Sequence, residues 1–415
     1  MVIEAYTDKY SYYLNDKVYV FPKTDNNIFD IYVFNIFTPK IILFNEKNIK
    51  LKQNKTIEKE TFAEGSGWNL FYTFTLNNKI NKSGLYVIRL VDYESQFYLP
   101  LIIKNQSITK PNIIVLMNSN MWNAYNTWGG SSYYRKESHI QYKSEYFQKH
   151  GPTNVITFKR PNPLISNEIC AYITQKYKKY KSHCFFGEMY LLEWLYNKNI
   201  EYDLICDRDL HDNYDIKQYK IFMMNCHPEY WTTNMIENVH TNAQNVISLA
   251  GNCIFREVEY NGHQMKKISV YGWGRCFPVT GSYYTDKGYD TYAPFKLYFD
   301  KKKDPFFSWI FDGIEDEIIG LECRNNENNE KKGKGCSGHE TDKIIYTKLS
   351  NKHIIGRGMN KNGSGGDILY FIYENKEKTI YRHIFSTGSV VFAGSLSVDK
   401  NIERMVSNVI DKFNL

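Results

Sequence analysis

The chain has 415 residues, of which 42% are hydrophobic and 16% aromatic, with 35 Tyr and only 11 Pro. That length allows two or three domains, and this much apolar and aromatic material excludes a disordered chain. The net charge of +7 is spread out apart from Lys301-Lys302-Lys303 and the stretch around Lys331, Lys332 and Lys334, so no coherent basic stripe points to nucleic acid.

No apolar run reaches the roughly 20 residues that a membrane-spanning helix needs. The N-terminal stretch has no basic-then-apolar signal architecture. None of the 8 Cys pair at the CxxC spacing of a zinc site. A reduced, cytoplasmic setting is the expectation.

In chain order, residues 1–108 are expected to form an all-β domain. Alternation is visible in Ile31-Tyr32-Val33-Phe34-Asn35 and in Phe71-Tyr72-Thr73-Phe74-Thr75, and Gly65-Ser66-Gly67 and Ser83-Gly84 punctuate the runs. Short strands at this spacing suggest an immunoglobulin-like sandwich. Residues 109–415 are expected to form one α/β domain. Apolar runs predict strands at Ile113–Met117, Val155–Phe158, Ile200–Ile205, Ile221–Met224 and Val246–Leu249. Helical spacing appears at Met189, Leu192 and Leu195, and again at Met235, Ile236 and Val239. Strands alternating with helices predict a mainly parallel sheet flanked by helices. Beyond Asn252 the pattern weakens. Cys323 to Lys343 reads as a polar loop that nevertheless carries His339, Glu340 and Asp342. Val390 to Ala393 predicts a last strand, and Ile402, Met405, Val409 and Phe413 mark an amphipathic terminal helix.

One stretch concentrates reactive groups. In Lys220 to Trp231, KIFMMNCHPEYW, an apolar run gives way to Asn225, Cys226, His227, Pro228 and Glu229. A thiol, an imidazole and a carboxylate thus fall just past the carboxyl end of a strand, where open α/β sheets bind ligands. A Pro-stiffened connection with a backbone-satisfied His is the plainer alternative. Cys226 beside His227 also allows a thiol nucleophile, although small flanking residues are missing. The loop after the first strand, Asn118 to Tyr134, is dense in amides and phenols. Asn126 and Trp128 in that loop, Asp209 after the third strand and Asn252 after the fifth are the candidates for binding substrate. Asp209 would equally serve to cap its turn.

The motifs AYNTWGGSSYY, FKRP, CDRDLH, HPEYW, GHETDK and GSVVFAGSLSVDKNIERMVSNVIDKF occur in this order. Together they resemble the large-subunit family of N,N-dimethylformamidase over roughly residues 112–413. HPEYW departs from the family's pattern at Pro228, where an Asp is usual. The resemblance implies a sheet domain of class I glutamine amidotransferase type after β-rich domains. It implies a mononuclear iron held by two Tyr and one Glu, with a His and a second Glu assisting amide hydrolysis. Carried over, the metal ligands are Glu229 and Tyr125, with Tyr133 or Tyr134 as alternatives to Tyr125, and the catalytic residues are His227 and Glu340. The position expected for the second Tyr holds Asn162.

The implied function is cleavage of the C–N bond of a small amide by a metal-activated water, with no nucleic-acid or membrane partner and with oligomerisation left open. A trivalent iron favours carboxylate and phenolate oxygens, polarises a carbonyl and acidifies water. Glu340 or His227 would take the water's proton and return it to the leaving amine. The alternative reading is a non-catalytic family member that binds a carbohydrate or a protein surface through an aromatic cleft.

Overall fold

Four of the five apolar runs that read as strands between residues 113 and 249 become strands of one nine-stranded sheet. The computed structural model describes residues 3–415 except 53, 57–59, 77–78, 81, 94, 135–151, 176–182, 286–287, 289–290 and 326–331. The sheet's strands are β1 (Ile113–Met117), β2 (Tyr202–Cys206), β3 (Ile221–Cys226), β4 (Asn245–Ala250), β5 (Phe295–Leu297), β6 (Ile318–Ile319), β7 (Ile354–Gly358), β8 (Asp367–Glu374) and β9 (Tyr381–Ser386). Their spatial order is β2-β1-β3-β4-β9-β8-β7-β5-β6. Every residue of β1 and β3 is buried, which is why both read as continuous apolar runs.

Ile113, Val115, Met117 and Met223 face a cluster that includes Met189, Leu192 and Leu195 of helix Phe185–Asn197 and Met405 and Val409 of helix Lys400–Asn414. Ile114, Leu116, Phe222 and Met224 face the opposite cluster, with Met235, Ile236 and Val239 of helix Thr233–Asn242. Thr232 starts that helix by accepting a hydrogen bond from Met235 N at 3.3 Å.

The expected architecture, a mainly parallel, helix-flanked sheet of glutamine amidotransferase type after an immunoglobulin-like sandwich, is corrected here. Strands β2, β1, β3, β4 and β9 run parallel, but β9, β8, β7, β5 and β6 then pair antiparallel. Residues 375–380, which join β8 to β9, suit a hairpin and are too few for the crossover that parallel neighbours need. Val155–Thr157, expected in the parallel sheet, instead pairs antiparallel with Gln264–Val270 in a separate four-stranded sheet. Among the described residues there are six sheets, each mixed or antiparallel, and only four helices of ten or more residues.

The segment Val390 to Ala393 is not a strand, since Phe392–Ser395 forms a 3-10 turn. The polar loop foreseen at Cys323 to Lys343 is partly ordered by pairing. Ser337–Gly338 pairs with Tyr292–Ala293, and Asp342–Ile344 with Ser282–Tyr284, while 326–331 lie outside the described residues.

The first hundred residues fold as a three-stranded and a five-stranded sheet over a cluster that includes Val18, Val20, Ile31, Val33, Ile88 and Leu101. Polar contacts join this part to the larger sheet. Ser11 Oγ donates to Asp209 Oδ1 at 2.8 Å, and Trp128 Nε1 donates to Glu4 Oε1 at 3.0 Å. All 8 Cys are free of disulfides. No helix among the described residues is long and apolar enough to cross a membrane.

Candidate functional site

The carboxyl ends of β1, β3 and β4 deliver side chains to one buried cluster. β3 ends in Cys226, whose φ of 61° lies in the left-handed region. For a side chain larger than Gly this costs roughly 1–2 kcal/mol. Asn252 (φ 49°) and His339 (φ 67°) adopt the same unusual conformation. All three positions lie at or beside residues of the cluster, the kind of place where backbone strain collects.

His227 is 1% exposed and Glu229 is 3% exposed. His227 Nε2 lies 2.8 Å from Glu340 Oε2 and 3.6 Å from Glu229 Oε2. Asn252 Nδ2 lies 3.1 Å from the same His227 nitrogen and donates to Glu340 Oε2 at 2.9 Å. Asp342 fastens the Glu340 segment to the end of β4, because Asn252 N and Cys253 N donate to its two oxygens at 2.7 and 3.2 Å. Asn252 Oδ1 and His227 Nδ1 are buried without a hydrogen-bond partner.

Phenols close the other side. Tyr134 donates to Glu229 Oε2 at 2.8 Å, and Tyr230 donates to the Tyr134 hydroxyl at 2.5 Å. The Tyr125 ring lies 4.0 Å from the Tyr134 ring and 4.7 Å from the His183 ring. His183 in turn faces His227 at 5.4 Å and stacks on His339 at 4.6 Å.

The electrostatics follow from burial and from the two carboxylates. Burial would depress the His227 imidazole, but Glu340, with Glu229 behind it, raises it above its ordinary value. Burial would raise Glu340, but the facing His227 outweighs this and brings the carboxyl down to about 2. Each partner thus favours the charged form of the other. Burial raises Glu229, and the neighbouring Glu340 adds to this against the pull of His227. Tyr125, Tyr134 and Tyr230 are all pushed well above the usual phenol range, by burial first and then by the Glu229 charge. In this protein alone Tyr134 and Tyr230 donate their hydrogen bonds as neutral phenols.

The structure thus brings together Tyr125, His227, Glu229, Asn252 and Glu340 from the residues singled out in the sequence. It places the others elsewhere. Asp209 is held by Ser11, by Lys104 Nζ at 2.6 Å and by Cys206 N at 3.0 Å, so it caps its turn and ties the N-terminal sheets down. Asn126 Nδ2 donates to Pro161 O at 2.8 Å. Trp128 packs edge-on against Trp68. Of the alternative tyrosines, Tyr133 is spent on Met265 O at 2.7 Å, whereas Tyr134 reaches Glu229. Asn162 accepts from Ile165 N and donates to Trp122 O, capping helix Pro163–Ile173. Tyr230, His183 and Arg256 were not singled out. Tyr230 was in view inside HPEYW, but strand alternation sends neighbours to opposite faces. Here the long phenol arm still reaches the cluster.

Comparison with known proteins gives the chain's family. The sequence profile of the family described as "N,N-dimethylformamidase beta subunit-like, C-terminal" matches residues 45–404. The match begins well before residue 112, inside the N-terminal sheets. The N,N-dimethylformamidase beta subunit of an Alcaligenes species is 24% identical over 294 aligned positions, covering 55% of this chain and 36% of that subunit. The chain therefore spans little more than a third of the length of that relative. A crystallised thua-like protein from Bacteroides uniformis overlays 74% of this chain and 93% of its own at 9% identity, but its TM-score of 0.33 is too low to argue a shared fold. By the extent of the profile match, the chain belongs to the N,N-dimethylformamidase beta subunit-like, C-terminal family.

Proposed function

We propose that the protein hydrolyses the C–N bond of a small amide, with an iron ion seated among Tyr125, Tyr134, Tyr230 and Glu229. One observation carries the reading. Glu229 Oε2, the Tyr134 hydroxyl and the Tyr230 hydroxyl form an unbroken chain of oxygen contacts at 2.8 and 2.5 Å, directly beside the His227–Glu340 pair. Among the described residues, no group of three or more His, Cys, Asp or Glu side chains is placed to hold a metal. The donors that do converge are phenols and one carboxylate, the set that suits a hard trivalent ion. A cation among them would reverse the field that now keeps the phenols protonated. Of the residues carried over, Tyr125 contributes its ring at the cluster's edge, and Tyr134 and Tyr230 stand where a phenol at Asn162 does not.

Bound iron would supply Lewis acidity toward an amide carbonyl and a water molecule. The chain's own groups supply the rest. The proton shared between His227 Nε2 and Glu340 Oε2 sits where it can pass to a leaving amine, and Glu340 can take the proton released by water. Asn252 fixes Glu340 by donating from Nδ2 and leaves Oδ1 for a substrate or water hydrogen. Burial of Glu229 and His227 keeps the surroundings of low polarity, which strengthens each of these interactions.

The two competing readings find less support. Cys226 is fully buried, donates its thiol to His183 O at 3.3 Å and is pushed well above the usual thiol range by burial, so it is poorly placed as a nucleophile. Trp128, one of the aromatic residues of the Asn118–Tyr134 loop, is turned into packing against Trp68. The test is hydrolysis of small formamides and acetamides by iron-loaded protein. Turnover by the wild type that is lost in Glu340→Gln, with iron retained, supports the proposal. Iron-loaded wild type that releases no amine from any of them defeats it.

A further inference from the structure

We propose that Arg256 is a positioning residue that makes Glu229 present a single oxygen to the iron site. This rests on the reading of the site given above. The two oxygens of Glu229 have different partners. Oε2 faces inward, 2.8 Å from the Tyr134 hydroxyl and 3.6 Å from His227 Nε2. Oε1 faces outward, 3.3 Å from Arg256 Nε.

Arg256 also grips the backbone of the residue whose side chain it holds. Arg256 N and Phe255 N both donate to Glu229 O, at 2.9 and 3.1 Å, and Tyr230 pairs with Arg256 in a parallel ladder. The guanidinium is held over the Phe255 ring at 4.8 Å, and that ring packs edge-on against Tyr284 at 5.1 Å. Arg256 is therefore fixed at its backbone and along its side chain before it meets the carboxylate. It stands between solvent and Glu229, with its own side chain 36% exposed against 4% for the glutamate.

The consequence is geometric. With Oε1 engaged by a cation, the carboxylate is held from swinging to chelate with both oxygens, and its charge toward the cluster is reduced. Partners of this kind orient a ligand and tune its donor strength, and their loss typically costs about 10–100-fold in metal affinity. Glu229 is only 4% exposed, so removing the guanidinium also lowers stability, and melting measured without iron separates a positioning role from a structural one.

The experiment compares wild type, Arg256→Gln, Arg256→Lys and Glu229→Ala. Ferric iron affinity is measured by chelator competition, visible absorbance is recorded for the loaded proteins, and melting is followed without iron. The expected result for Arg256→Gln is iron binding weakened by about 10–100-fold and a displaced absorbance band, in protein that is still folded at the assay temperature. Arg256→Lys should recover part of both. Wild-type affinity and absorbance in Arg256→Gln would overturn the inference while leaving the proposed function standing. A lowered melting temperature that alone accounts for the weaker binding, without rescue by Lys, would also overturn it. A wild type that takes up no iron defeats the proposed function, and this inference with it.

Discussion

His227 Nε2 and Glu340 Oε2 meet at 2.8 Å, one brought by the end of β3 and the other by the segment that Asp342 pins to the end of β4. Because each group sets the protonation of the other, they act as one unit. His227→Gln and Glu340→Gln are each expected to lower kcat by about 10²–10⁴-fold, the usual range for removing a proton-transfer group. The double variant should be scarcely worse than either single one. Steady-state kinetics on the three variants checks this. Fully additive losses would show that the pair does not work together.

The adjacent tyrosines Tyr133 and Tyr134 should separate cleanly. Tyr134→Phe removes the hydroxyl bonded to Glu229 and should impair iron uptake. Tyr133→Phe removes a buried bond to Met265 O and should cost about 1 kcal/mol of stability while leaving iron uptake intact. Denaturant unfolding together with metal analysis of both variants tests the distinction. Iron loss in Tyr133→Phe at normal stability would contradict it.

Restoring a tyrosine at Asn162 should not help. Asn162 Oδ1 caps helix Pro163–Ile173 through Ile165 N at 3.3 Å. Asn162→Tyr is therefore expected to lose about 1 kcal/mol of stability with no gain in iron affinity. Tighter iron binding in that variant would mean that Tyr134 and Tyr230 do not stand in for the missing phenol.

Much of this was legible in the sequence wherever burial is two-sided. Ile113–Met117, Ile221–Met224 and Val246–Leu249 read as strands because both faces are covered, and the terminal helix read correctly because only one face is. His227 and Glu229 were conspicuous because reactive groups crowd a strand end. What could not be read was pairing. Val155–Thr157 looks like its neighbours in the sequence yet joins another sheet, and β9 hides its burial behind Arg382, which is 1% exposed and bonded to Val239 O. The roles of Asp209, Trp128 and Asn126 were set by contacts with the N-terminal sheets or a distant loop, which spacing along the chain does not encode.

Asp207 offers a test of the electrostatics away from the cluster. It is 1% exposed, and burial pushes its carboxyl up to about 7 despite hydrogen bonds from Asn120 N and Ser119 Oγ. Its folded value thus lies above its unfolded value of about 4. Between these two values the folded protein keeps a proton that the unfolded chain releases, so stability falls as pH rises, by at most about 1.4 kcal/mol per unit. Asp207→Asn has no such proton. The melting temperature of wild type relative to this variant should decline from pH 5 to pH 7. A constant difference across that range would show that Asp207 is ionised in the folded protein.

The central claim is that Glu229 and the phenols around it hold iron. The measurement is iron content and visible absorbance of wild type and Glu229→Ala after growth with added iron. The account predicts a coloured wild type with a phenolate-to-iron charge-transfer band and stoichiometric iron, both absent from Glu229→Ala. Wild-type protein that stays colourless and iron-free under the same conditions would contradict it.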